Sequence, residues 1–145
     1  MSEIIRKSNA VWEGDLKSGG GRISSGSNVL NEVSYSFATR FEDRPGTNPE
    51  ELIAAAHAGC YAMAFSDTLA QKGYTPQSIE VTAACVMEKQ GGDFAITKMR
   101  LQVKGSVEKI DEDTFLAIAK EADKECPVSN LLRPGLKIEL ETKLI

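Results

Sequence analysis

Asn48-Pro49-Glu50-Glu51-Leu52-Ile53-Ala54-Ala55-Ala56-His57-Ala58-Gly59-Cys60-Tyr61-Ala62-Met63-Ala64-Phe65 is the stretch on which the architecture turns. An Asn suited to N-capping, a Pro at the first helical position and acids in the first turn all favour helix initiation. From there apolar and small residues occupy every face of the cylinder, the pattern of a helix enclosed all round. The spacing predicts a long central helix that ends near Gly73. Its most apolar part, residues 52–65, is interrupted by His57 and falls short of the ~20 residues needed to cross a bilayer, so it reads as a buried core helix.

Upstream, residues 8–41 break into short β-like runs punctuated by Gly19-Gly20-Gly21 and Ser25-Gly26-Ser27-Asn28, which predicts three strands. The last, 33–41, alternates Val33, Tyr35 and Phe37 with Ser34, Ser36 and Ala38 and puts Arg40 in the series opposite the aromatic face. The glycine triplet lacks a following Lys-Ser or Lys-Thr and reads as a hairpin turn, not a phosphate loop. Downstream, Ile79, Val81, Ala83, Cys85 and Met87 share one face of a strand, Met99, Leu101 and Val103 share one face of the next, and Gln90-Gly91-Gly92-Asp93 joins them. Asp111 caps a second helix whose Phe115, Ile118, Ala119 and Ala122 recur at helical spacing, Cys126-Pro127 opens a further short turn, and Leu136, Ile138, Leu140 and Leu144 mark a closing strand. The order βββ-α-ββ-α-β predicts an α+β fold, a largely antiparallel β-sheet wrapped around the long central helix.

A chain of 145 residues with 41% hydrophobic and 26% charged residues has the composition of one globular domain, 1–145. Its net charge of −4 lacks the basic excess that nucleic acid or anionic lipid would attract, so neither nucleic acid nor membrane is an expected partner. The polar start, with Glu3, Arg6 and Lys7 and no apolar h-region, points to the cytoplasm. There, three cysteines spaced 25 and 41 residues apart form neither a stapling framework nor a zinc-finger pattern.

Cys60 lies mid-helix among apolar residues and reads either as a small hydrophobic filler or as a nucleophile. Cys126, immediately before Pro127, occupies an N-cap position, where it is either a plain cap or a thiol whose ionised form the helix dipole favours. Cys85 reads as packing. His57 precedes Cys60 by three residues, so a Cys-His dyad is formally open, yet no third group at suitable spacing would orient the imidazole, and a satisfied core histidine is the preferred reading. A zinc site of Cys60, Cys126 and His57 would still lack a fourth ligand.

The segment 48–60 quoted above and Cys126-Pro127-Val128-Ser129 together resemble the osmotically inducible protein C (OsmC) and organic hydroperoxide resistance (Ohr) family of thiol peroxidases. Trp12-Glu13-Gly14-Asp15, Thr39-Arg40-Phe41 and Phe94-Ala95-Ile96-Thr97-Lys98 are similar to the OsmC branch in particular, so the likeness runs nearly end to end. The resemblance implies a thiol peroxidase without haem, flavin or metal, built as an intertwined homodimer with active sites at the subunit interface. It makes Cys60 the peroxidatic and Cys126 the resolving cysteine, with Arg40 and Glu50 the activating pair. Arg22 is a second candidate for the arginine, because the Ohr branch draws it from an earlier N-terminal position. The implied partners are an organic hydroperoxide as substrate, with hydrogen peroxide a weaker one, and a dithiol reductant such as a dihydrolipoyl group.

On that assignment the chemistry explains the residues. A thiol with an ordinary pKa near 8.5 is only about 3% thiolate at pH 7, and burial lowers that further. A guanidinium about 4 Å away at an effective dielectric of 20 supplies on the order of 4 kcal/mol, enough to offset roughly 2.5 pKa units. Glu50 and Cys60, if on one straight helix, are about 15 Å apart along its axis. Either the helix breaks between them, or Glu50 serves Cys60 of the partner subunit. A redox-sensing stress protein that uses the same disulfide as a switch is the rival class, and a Cys-His acyl-transfer enzyme a third.

Overall fold

In the computed structural model, which describes residues 2–145, the elements run β1 (Ser8–Glu13), β2 (Gly20–Ser25), β3 (Val33–Tyr35), α1 (Phe37–Phe41), α2 (Pro49–Gln71), β4 (Pro76–Gln90), β5 (Asp93–Val107), α3 (Glu112–Glu125), α4 (Pro127–Leu132) and β6 (Lys137–Leu144). The class is the expected mixed α+β, with the strands divided between two three-stranded sheets, β1-β2-β3 and β4-β5-β6. Two compact units meet within α2, one reaching to Leu52 and the other spanning Ile53–Ile145.

In the first unit the three strands pair antiparallel, and the register aligns Trp12 with Gly21 and Gly21 with Tyr35. The two rings close over the glycine with centroids 5.4 Å apart. A Cβ on Gly21 would stand 2.5 Å from Tyr35 Cε1, so the row has no room for a side chain there. The glycine triplet is therefore not the hairpin turn: Gly20 and Gly21 belong to β2, and the turn lies before them, held by Asp15 Oδ1 accepting from the Ser18 amide at 2.7 Å. The expected strand 33–41 is also corrected. It stops at Tyr35 because the Ser36 side chain accepts from the Thr39 amide while Thr39 Oγ1 accepts from the Ser36 amide, a reciprocal capping box that starts α1 and carries Arg40 on a helix.

The second unit is built on α2, whose start the Asn48 side chain caps by accepting the Glu51 amide at 2.8 Å. His57, Tyr61, Phe65 and Leu69 recur every fourth residue and are buried; each large apolar one contributes about 1.5–3 kcal/mol by leaving water. They meet Met99, Leu101 and Val103 of β5 and Phe115, Ile118, Ala119 and Ala122 of α3. β5 is the middle strand, antiparallel to β4 across the turn Gly91-Gly92 and parallel to β6, because the α3–α4 crossover returns the chain in the same direction. Both turn glycines have positive φ, +57° and +95°, the left-handed backbone of a tight hairpin. Asp111 caps α3 through the Thr114 amide as expected.

Within the second unit α2 is covered on one side and not enclosed all round. Ala55, Ala56, Gly59 and Met63 are exposed, Met63 at 76%, because the sheet and α3 cover one side of the cylinder. Among the described residues no helix is long and apolar enough to cross a membrane.

Gly105 faces Phe115, and a Cβ there would approach the ring within 2.6 Å. Gly105→Ala should destabilise the fold by about 1–3 kcal/mol through overpacking, read as a lowered urea midpoint; an unchanged midpoint would show that Phe115 gives way freely.

Candidate active site

Cys60 sits in the fourth turn of α2, and Cys126 is the N-cap of α4, directly before Pro127. The fold brings the two thiols to 3.4 Å, Cys126 donating to Cys60 Sγ, although 66 residues separate them in the chain. None of the three cysteines is in a disulfide. Cys126 is fully buried and its sulfur accepts the Ser129 amide at 3.5 Å, while Cys60 is half-buried. Burial pushes the Cys60 thiol up from its ordinary pKa; the Val128 amide, bonded to it, opposes the rise, and the adjoining Cys126 thiol adds to it. Cys85 lies on the core-facing side of β4, opposite Met99, as its place in the apolar series predicts.

In the first unit Arg40 and Glu50 meet. Arg40 donates through Nε to Oε1 at 2.9 Å and to Oε2 at 3.2 Å, and through Nη2 to Oε1 at 2.7 Å. Glu50 is buried, and Arg40 also stands over the Phe41 ring, 5.0 Å from its centroid. The geometry holds the guanidinium plane fixed by a fork that a lysine lacks. Arg22, the other candidate, is spent on Glu13 at 2.9 Å on an exposed strand face. Glu51 accepts from Thr47 and belongs to the helix start.

His57 turns away from the formal dyad. Its Nε2 lies 2.7 Å from Ser129 Oγ, with both residues fully buried. Half of the core-histidine reading holds, since Nε2 is satisfied; Nδ1 is buried without a partner, as is Asp123 Oδ1. Burial pushes the imidazole below its ordinary pKa, Asp123 opposes this and Arg133 reinforces it. The sequence assigns Ser129 no role, because its partner lies 72 residues away and no periodicity reports such a pairing. Tyr61 is another: its hydroxyl donates to the Ala119 carbonyl at 2.8 Å and ties α2 to α3, and burial pushes its ionisation upward. Among the described residues no His, Cys, Asp and Glu side chains group to hold a metal.

An α+β chain that sets two reduced thiols in contact, one on a helix and one on a helix cap, has the architecture of a dithiol protein. The OsmC-like protein family matches it over residues 41–141, and the chain belongs to that family. It is 46% identical to Peroxiredoxin OsmC of Escherichia coli K12 over 140 residues, covering 97% of this chain and 98% of that protein. It is 26% identical to the organic hydroperoxide resistance protein OhrB of Bacillus subtilis, covering 85% of this chain and 89% of that one. Among solved structures, the fold matches that of OhrB of Bacillus subtilis with a TM-score of 0.71 at 22% identity over 94% of this chain and 98% of that one. It also matches an OsmC-like protein of Mycoplasma pneumoniae with a TM-score of 0.76 at 16% identity over 99% of both.

His57 is the sole histidine of the chain, so its titration is unambiguous. With the folded pKa below the unfolded value, the unfolded chain binds the extra proton, and stability falls as pH drops below about 6.5 while this group has no effect above it. The imidazole resonances should show a ring less than half protonated at pH 6.5, and the loss of stability between pH 6.5 and 5 should be shallower in His57→Gln. A ring that titrates at or above 6.5 would contradict the burial argument.

Proposed function

We propose that this protein is a cysteine-based peroxidase that reduces organic hydroperoxides, and hydrogen peroxide more weakly, to alcohols or water. The observation that carries the reading is the 3.4 Å approach of Cys60 and Cys126. The names of its relatives, a peroxiredoxin and organic hydroperoxide resistance proteins, support the substrate class. In this reading the Cys60 thiolate attacks the distal peroxide oxygen, the O–O bond breaks, and an alkoxide leaves and takes up a proton while Cys60 becomes a sulfenic acid. Cys126 condenses with it to a disulfide, and an external dithiol, such as a dihydrolipoyl group, restores both thiols. No metal or organic cofactor enters this sequence.

Cys60 is raised by burial, so it needs a cation, and Arg40 held by Glu50 is the one we assign. α2 is unbroken from Pro49 to Gln71, so Glu50 and Cys60 of one chain are about 15 Å apart along its axis. That distance favours the arrangement in which the pair serves Cys60 of the partner subunit, in a homodimer of one-domain chains working in the cytoplasm. The exposed Ala55, Ala56, Gly59 and Met63 are in keeping with a second chain against α2.

With cumene hydroperoxide and dihydrolipoamide, Cys60→Ser should abolish turnover, while Cys126→Ser should consume about one peroxide per site and stall as a sulfenic acid or an overoxidised product. Equal residual turnover in both would remove the two assignments. A wild type that oxidises once and is not recycled would point instead to the redox sensor.

Mixing inactive Glu50→Ala and Cys60→Ser chains under subunit exchange should restore activity, since one of the two sites in each heterodimer regains both residues. A proven heterodimer that stays inactive would return Glu50 to its own subunit.

A further inference from the structure

His57 and Cys60 stand three residues apart on α2, and Cys126 and Ser129 stand three residues apart at the start of α4. Each pair lies on one side of its segment, so the two segments face each other through two rungs, Sγ to Sγ at 3.4 Å and Nε2 to Oγ at 2.7 Å. The Ser129 amide, bonded to Cys126 Sγ, joins the rungs on the α4 side. Filling space does not account for the imidazole. Its Nδ1 is buried without a partner, at a cost of about 1–3 kcal/mol that a leucine in the same place would not incur. What a leucine cannot supply is the bond to Ser129.

We infer that the buried His57–Ser129 hydrogen bond sets the spacing between Cys60 and Cys126, and that both residues are positioning residues for disulfide formation. The inference rests on the peroxidase reading above for the order of steps. In the step concerned, the Cys126 sulfur attacks the Cys60 sulfenic sulfur; the S–S bond forms, the S–O bond breaks, and the hydroxide leaves with the Cys126 proton as water. Cys126 is oxidised and the sulfenic sulfur reduced, so no further reagent is needed. The sulfurs must close from 3.4 Å to about 2.05 Å, and a misplacement of ~1 Å in a reacting pair can cost ~100-fold in rate. α4 is only six residues long, and a direct bond at its third position to the helix that carries Cys60 limits that drift. The first step, attack on peroxide, makes and breaks no bond at Cys126, which touches it only through its effect on the Cys60 thiol, so it should depend on the rung far less.

Three variants separate positioning from folding. Ser129→Ala removes the rung; His57→Leu combined with Ser129→Ala removes it while leaving neither partner's polar atom stranded in the core; His57→Gln keeps a side-chain amide able to bond Ser129. Consumption of the first equivalent of cumene hydroperoxide in stopped flow should change by less than about twofold in all three. Conversion of the sulfenic acid to the disulfide should slow about tenfold in the first two and stay near wild type in His57→Gln. The reduction potential of the Cys60–Cys126 disulfide, measured in glutathione buffers, should rise by about 30 mV in the first two, the equivalent of a tenfold loss in effective concentration. A double variant with wild-type resolution and potential would overturn the inference, as would His57→Gln behaving like the double variant. If the wild type consumes no peroxide, the peroxidase reading fails by itself, and the shift in potential still decides the rung.

Discussion

Taking a thiol out of water disfavours its charged form, and that cost at Cys60 organises the rest of the molecule. The helix that carries it must be apolar to form the core with β5 and α3, yet the same apolar surroundings raise the thiol. Within the second unit the Val128 amide supplies partial compensation at the sulfur. A full charge is costly to hold in such a place unless it is itself paired. Arg40, fixed by a buried carboxylate, shows how a chain can keep a guanidinium ready without leaving it mobile.

α2 also acts as a ruler. Because it runs without interruption through 23 residues, the groups along it are held at fixed separations, and no adjustment of side chains can bring its first turn to its fourth.

Local signals were legible in the sequence, and distant ones were not. Asn48-Pro49, Gly91-Gly92, Asp111 and Cys126-Pro127 each act on residues within one turn of themselves, and each element began or turned where they stand. Residues 36–41 fit a strand as well as a helix by their alternation of aromatic and small residues, and only the Ser36–Thr39 cap decides between them. The glycine triplet was misread because a glycine needed for ring packing looks the same as one needed for a turn. The two thiols were matched through a family likeness, since spacing alone left each with a bland alternative. The bond between His57 and Ser129, and the exposed side of α2, depend on what lies across the core, which no local pattern reports.

The placement of Cys85 has a consequence for how the chain matures. During synthesis Cys85 follows Cys60 after 25 residues, whereas Cys126 follows only after 66, and closing the shorter loop costs less entropy. A wrong Cys60–Cys85 crosslink is thus the first one available to an emerging chain. In the folded chain the β4–β5 ladder registers Cys85 against Met99, on the side of the sheet that faces the core. Once β5 has paired with β4 and α3 has packed on them, the competing sulfur is held in the sheet.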